Sequence, residues 1–321
     1  MSTPGESRTA RLLQWAATTR RRNEIAGAVL RTAAPLLPRS APPRDPVFVL
    51  GSPRSGTTML VNLLDRSPSL ASLERGSQFL WEMFHTIKGS GWDSHVVEPA
   101  DITPKERRVV TWAIDEIAGD ERYLDKFPRN CLRGEYLFEL FPSARFVAIY
   151  RDGRAAVSSL MTGWQTAGKF GHGTNLPVEL HIQGYDGRPW RFLVPRGWRE
   201  YATGHTLAEV CAFQWSSANE AILAAREAIP AAQWTEVRYE EFLDAPRDTT
   251  SKLLSSLGLP QEEEVLTWAA DLDEHVSRTA VSAPRRDKWR DTHGEDIEGI
   301  LGQIEPTMRA LGYQPDGGPG G

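Results

Sequence analysis

The segment Gly51-Ser52-Pro53-Arg54-Ser55-Gly56-Thr57-Thr58 concentrates residue types that hold an anion. Its two glycines let the backbone fold tightly, so that successive N–H groups converge on one anion at the start of the next helix. Ser55, Thr57 and Thr58 add hydroxyls, and Arg54 adds a planar cation suited to phosphate oxygens. The Gly51-x4-Gly56 spacing is that of a nucleotide-triphosphate loop, but Thr57-Thr58 stands where Lys-Ser or Lys-Thr would serve the β- and γ-phosphates. The departure points to a donor lacking a γ-phosphate.

A second anchor follows in Arg145-Phe146-Val147-Ala148-Ile149-Tyr150-Arg151-Asp152-Gly153-Arg154. Here a strand leads into a helix. Arg151 at the strand's carboxyl edge and Ser159 two turns into the helix can meet one phosphate. Ligands of parallel sheets bind outside the carboxyl ends of the strands, which sets this pair beside the first loop. The alternative is an exposed Arg-Asp pair of little consequence.

Taken together, these blocks resemble the sulfotransferase superfamily, which uses 3′-phosphoadenosine 5′-phosphosulfate (PAPS). Pro53 to Thr58 resembles its 5′-phosphosulfate loop. Leu64-Asp65-Arg66-Ser67-Pro68 resembles the helix end that follows in the tyrosylprotein and bacterial branches. Arg151 and Ser159 match the residues that hold the 3′-phosphate. Val237-Arg238-Tyr239-Glu240-Glu241-Phe242 resembles the segment whose Tyr approaches the adenine side. Val281 to Arg290, with Ser282, Arg285 and Lys288, resembles a late loop that closes over the nucleotide; a solvated basic loop is the competing reading.

The resemblance also implies catalytic roles. Lys126, in Leu124-Asp125-Lys126-Phe127-Pro128, matches the lysine that polarises the sulfonate and bridging oxygen. The aryl and steroid branch continues with Thr-His and uses that His as base, whereas Phe127-Pro128 stands here. The base is therefore expected at Glu74, where the tyrosylprotein branch carries a glutamate; a surface pair with Arg75 is the competing reading. Glu82 and His85 are substitutes. Arg54 completes the catalytic set. The family needs no metal, and no His, Cys or carboxylate spacing suggests one.

These residues need a sheet with its loops at one edge. Short β-rich runs alternate with helical patterns, which predicts a P-loop-containing three-layer α/β/α fold around a mostly parallel sheet. Strands are expected at 47–50 and 146–150, with weaker candidates at 123–127 and 234–238. Helices are expected from Thr57, at 154–162, 104–118, 133–141, 207–228, 247–257, 261–270 and 295–311. The stretch 163–206 lacks periodicity and reads as a functional cover. Its aromatics, Trp164, Tyr185, Trp190, Phe192 and Trp198, with Phe79, Trp81, Phe84, Trp92 and Trp112, either line an acceptor site or pin loops to the core. Residues 1–45 divide into a polar start, a helix over 10–33 and a Pro-rich connector. The transferase body spans 46–313, and 314–321 is a frayed tail.

The chain has 321 residues and a net charge of −5, which argues against a nucleic-acid partner. Residues 8–44 nevertheless carry eight arginines against the single acid Glu24. That helix could lie on an anionic membrane, or pack on the body or a second subunit. Cys131 and Cys211 form no motif, and no signal or membrane span is visible, so the expected compartment is the cytoplasm. The implied reaction moves a sulfonate from PAPS to the hydroxyl of a small molecule, glycoside or lipid-linked acceptor. The alternatives are a small-molecule kinase and a non-catalytic nucleotide-binding protein. Oligomeric state is not legible.

Overall fold

The computed structural model describes residues 8–38, 43–73, 76–166, 173–271 and 288–314. Its strands are β1 (Val47–Leu50), β2 (Leu70–Ser72), β3 (Arg122–Asp125), β4 (Arg145–Tyr150), β5 (His181–Gln183), β6 (Thr203–Thr206) and β7 (Trp234–Arg238). Its helices begin with α1 (Arg8–Ala16), α2 (Arg20–Ala33), α3 (Thr57–Leu64), α4 (Gln78–Glu82), α5 (Pro104–Ala118), α6 (Gly134–Leu140) and α7 (Gly153–Gln165). They continue with α8 (Leu207–Ala228), α9 (Tyr239–Asp244), α10 (Pro246–Leu257), α11 (Glu263–Ala270), α12 (Lys288–Gly299) and α13 (Leu301–Ala310).

Five strands form the central sheet in the order β2-β3-β1-β4-β7, and every pairing is parallel. Parallel neighbours need crossover helices, which cover both faces and bury the strands completely. All four residues of β1 are buried accordingly. Side chains alternate between the two faces. Val47, Val49, Val147 and Ile149 pack with α3, α9, α10 and α11. Phe48, Leu50, Phe146, Ala148 and Tyr150 join a larger core with α5, α6, α7, α8 and α13. The predicted three layers are thus present. Parallel pairing brings all five carboxyl ends to one edge.

Local sequence explains several boundaries. Thr103 caps α5 by accepting from the Glu106 N–H while the Glu106 carboxylate accepts in return from the Thr103 N–H, and Pro104 occupies the first turn. Thr206 and Glu209 repeat that box at α8. These two helices match the expected ranges. The single helix expected over 10–33 is instead two. Thr19 is extended (φ −146°) and its hydroxyl accepts from the Arg22 N–H, so a new helix starts there. The expected helix at 295–311 is likewise divided: Ile300 leaves helical geometry between α12 and α13. Strand β2 escaped prediction because Leu-Ala-Ser offers neither alternation nor β-branched residues.

The 163–206 stretch is pinned inward. Trp164, Trp190 and Trp198 are at most 1% exposed and form an edge-on chain, with ring centroids 5.3 and 5.9 Å apart. Their indole N–H groups donate to Gln214 Oε1, the Leu193 carbonyl and the Trp92 carbonyl. Phe79, Trp81, Trp112 and Tyr185 are also buried, while Phe84, Trp92 and Phe192 remain half-buried. Most of these aromatics are therefore core residues, some on helices and some, like Trp190 and Trp198, fastening loops.

Candidate active site

The 51–58 loop leaves β1 and enters α3 with Arg54 at φ 74° and Gly56 at φ 96°, both in the left-handed region. A non-glycine residue there costs about 1–2 kcal/mol, strain that concentrates at functional sites. Gly56 is required by dihedral and by space, and Gly51 by space alone. A Cβ on Gly51 would lie 2.7 Å from Thr57 Cγ2, and one on Gly56 would lie 2.6 Å from the Tyr239 ring. The Ser52 and Ser55 hydroxyls meet at 2.6 Å inside the loop. First-turn N–H groups of α3 have no acceptor within the helix and project toward the edge where the strands end.

Each neighbouring strand sends one group onto this loop. From the end of β3, Lys126 Nζ donates to Thr58 Oγ1 at 3.0 Å. From β4, Arg151 Nη1 donates to the Arg54 carbonyl at 2.9 Å, and its guanidinium lies 4.5 Å from the Tyr239 ring centre. From α7, Ser159 Oγ accepts from Arg54 Nε at 3.1 Å. Arg54, Thr58, Lys126, Arg151, Ser159 and Tyr239 are therefore one cluster. Lysine is missing from the loop sequence, yet β3 brings an ammonium to the start of α3.

Three cations share this half-buried space, and two titrate abnormally. Burial, then repulsion by Arg151, lowers the Arg54 pKa to about 10, with Tyr239 opposing. Burial lowers that of Lys126 to about 8; Asp125 opposes this and Arg54 adds to it. An anion placed among them would reverse both effects.

A supporting layer went unread in the sequence. Asp125, buried beside Lys126, accepts from Trp81 Nε1 (3.1 Å), Tyr123 Oη (2.9 Å) and Asn130 Nδ2 (3.0 Å), which fixes the end of β3. Its own pKa is raised by burial, against these hydrogen bonds. Glu240 accepts from the Asp152 N–H at 3.0 Å and from Tyr313 Oη at 2.8 Å, tying α9 to the β4–α7 turn. Arg154 is paired to Asp152 and lies 5.7 Å from the Trp289 ring centre, while Ser158 Oγ meets His293 Nδ1 at 2.8 Å. These contacts latch α12, which begins with Lys288, onto the helix that carries Ser159. The signal was available only as the doublet Lys288-Trp289.

Glu74, Ser282 and Arg285 lie outside the described residues. The substitutes for Glu74 are both engaged. Glu82 is ion-paired with Arg129, and His85 Nε2 lies 2.6 Å from the buried Glu106 carboxylate, which also accepts from Tyr136.

A model of the sulfotransferase family matches residues 46–187 and 189–263. Protein-tyrosine sulfotransferase A of Caenorhabditis elegans is 24% identical over 292 residues, covering 85% of this chain and 68% of that protein. The protein-tyrosine sulfotransferase of Drosophila melanogaster is 25% identical over 295 residues, covering 85% of this chain and 52% of that protein. Among solved structures, sulfotransferase STF9 from Mycobacterium avium superposes with a TM-score of 0.52 at 17% identity, over 98% of this chain and 88% of that one. The last of these likenesses bears on the fold.

Proposed function

We infer the reaction from this premise: the chain belongs to the sulfotransferase family. It transfers a sulfonate group from PAPS to an acceptor hydroxyl and releases adenosine 3′,5′-bisphosphate (PAP). The observation that carries the donor assignment is the convergence of Arg54, Lys126, Arg151 and Ser159 on one loop. We assign the 5′-phosphosulfate to the 51–58 loop, with Arg54, Ser55, Gly56, Thr57 and Thr58 around it. Arg151 and Ser159 receive the 3′-phosphate, joined by Ser282, Arg285 and Lys288. Tyr239, held between Gly56 and Arg151, lies on the nucleotide side.

In this assignment the acceptor oxygen attacks sulfur as the bond from sulfur to the bridging phosphate oxygen breaks. Charge develops on that leaving oxygen, and fixed donors aimed at developing charge are the main source of rate in such transfers. Lys126 and the start of α3 supply them. The acceptor proton passes to Glu74. The described neighbour supports that choice: Ser72, the last residue of β2, pairs in parallel with Leu124, two residues before Lys126.

The acceptor is assigned more coarsely, as a hydroxyl of a small molecule, glycoside or lipid. The relatives' names add a tyrosine phenol to the panel. PAP is expected to raise the melting temperature far more than ADP or ATP, and equal shifts would remove the assignment. Incubation with PAPS and that panel should give products heavier by one SO₃. Magnesium-dependent consumption of ATP with a phosphorylated product would indicate a kinase instead.

A further inference from the structure

The N-terminal hairpin uses one apolar face and leaves another in water. Ala10, Leu13, Ala16, Ala17, Leu30 and Ala34 are buried, several of them in the large core with α5. Outward stand Leu12, Trp15, Ile25, Val29 and Leu36, exposed by 48–87%. Among the described residues the remaining large exposed apolar side chain is Val178. Five of the six large exposed apolar side chains among the described residues thus fall on this hairpin and the turn after it, a concentration that marks an interaction site. Ile25 and Val29 are one turn apart on α2, while Leu12 and Trp15 share a side of α1.

The charge around this patch selects its occupant. Exposed Arg11 and Arg21 flank it, and the Arg22 guanidinium lies 4.5 Å from the Trp15 ring centre. Residues 8–44 contain eight arginines and one acid in a chain of net charge −5, so the rest of the protein is acidic on balance. A two-fold contact between copies through this face would oppose arginine to arginine. An anionic bilayer instead accepts the apolar side chains at its acyl boundary and the guanidinium groups at its headgroups. The acidic body would then face away. No helix among the described residues is long and apolar enough to cross a membrane.

We propose that the α1–α2 hairpin is a peripheral docking face for anionic phospholipid. Its contacts join it to the acceptor side of the site. Gln14 Nε2 donates to the Ser72 carbonyl at 2.8 Å, two residues before Glu74, and Arg31 donates to the Met83 carbonyl just after α4. Docking therefore holds the carboxyl end of β2 close to the lipid surface. An acceptor dissolved in the membrane is favoured, a refinement that rests on the sulfotransferase reading; lipid binding itself does not.

The test is co-sedimentation of the full chain with vesicles of phosphatidylcholine alone or mixed with phosphatidylglycerol. Binding to the anionic vesicles and release by salt are expected. The variant carrying Leu12→Gln, Trp15→Gln, Ile25→Gln and Val29→Gln should stay in the supernatant while keeping its circular dichroism and its PAP-induced melting shift. Should that variant misfold, the surface changes Arg11→Gln and Arg21→Gln serve, each lowering partition roughly fivefold. Failure of the wild type to bind anionic vesicles overturns the proposal, as does a dimer in light scattering that the fourfold variant converts to monomer without any vesicle binding. Loss of PAP binding with vesicle binding intact would leave docking standing and remove the donor assignment.

Discussion

Two arginine-bearing regions of this protein set the same side chain in different surroundings. In the proposed donor cradle, Arg54 and Arg151 are half-buried, aligned by backbone and hydroxyl oxygens, and packed against glycine and tyrosine. On the hairpin, Arg11 and Arg21 stand in solvent beside exposed leucine, isoleucine and tryptophan. On the proposed assignment, desolvation makes the first set a specific receptor, because each cation is held in place and gains most when a matching anion arrives. Exposure makes the second set a diffuse one, sensitive to surface potential and salt. The two proposals together make surroundings, more than residue type, decide what a cation recognises.

The largest expected effect separates the two regions directly. Lys126→Ala should lower turnover by about 10²–10³, the scale on which one donor to a developing oxyanion acts. Arg21→Gln removes the same unit of charge and should leave turnover on a soluble acceptor unchanged. Single-turnover kinetics with saturating PAPS reads both. Comparable losses in the two variants would mean that net charge, and not placement, carries the effect.

Next in size is the proposed 3′-phosphate anchor. Hydrogen bonds to charged groups contribute about 1.5–3 kcal/mol, so Arg151→Gln should weaken PAP roughly 10- to 100-fold. Affinity for a nucleotide lacking the 3′-phosphate should change much less. Titration calorimetry with both ligands distinguishes this from a general loosening of the loop, which would weaken them equally.

The clustering of the 51–58 loop with the β4–α7 segment was legible in the sequence because its demands are local. Gly51 and Gly56 stand where a Cβ would collide, and Arg151 and Ser159 are separated by the distance from a strand end to the second turn of a helix. Sheet class followed from the β1 and β4 runs for the same reason. What stayed illegible depends on contacts between distant segments. Trp190 and Trp198 have a composition that fits a wall for a ligand, and only tertiary packing shows that they are core. Asp125 reads as one carboxylate among many until Trp81, Tyr123 and Asn130 converge on it. The break at Thr19 was hidden because an arginine-rich helical pattern continues on both sides of a single capping hydroxyl.

The smallest effect is a proton, and its sign is fixed by the site. Lys126 titrates at about 8 in the folded chain and at its ordinary value of 10.5 when unfolded. Between these values the unfolded chain holds more protons. The destabilisation caused by charged Lys126 is therefore full below pH 8 and is relieved as pH rises toward 10.5. A bound bisphosphate favours the ammonium and moves its pKa back up. PAP binding should then take up a proton between about pH 8 and 10, and affinity should fall with rising pH by at most tenfold per unit. Calorimetry in two buffers of different ionisation enthalpy measures that uptake. Lys126→Arg, whose guanidinium is intrinsically far more basic than an ammonium, should abolish the Lys126 contribution while retaining binding. If the uptake persists in this variant, the proton belongs elsewhere, and the distinction between a tuned cradle and an ordinary basic surface loses its chief electrostatic support.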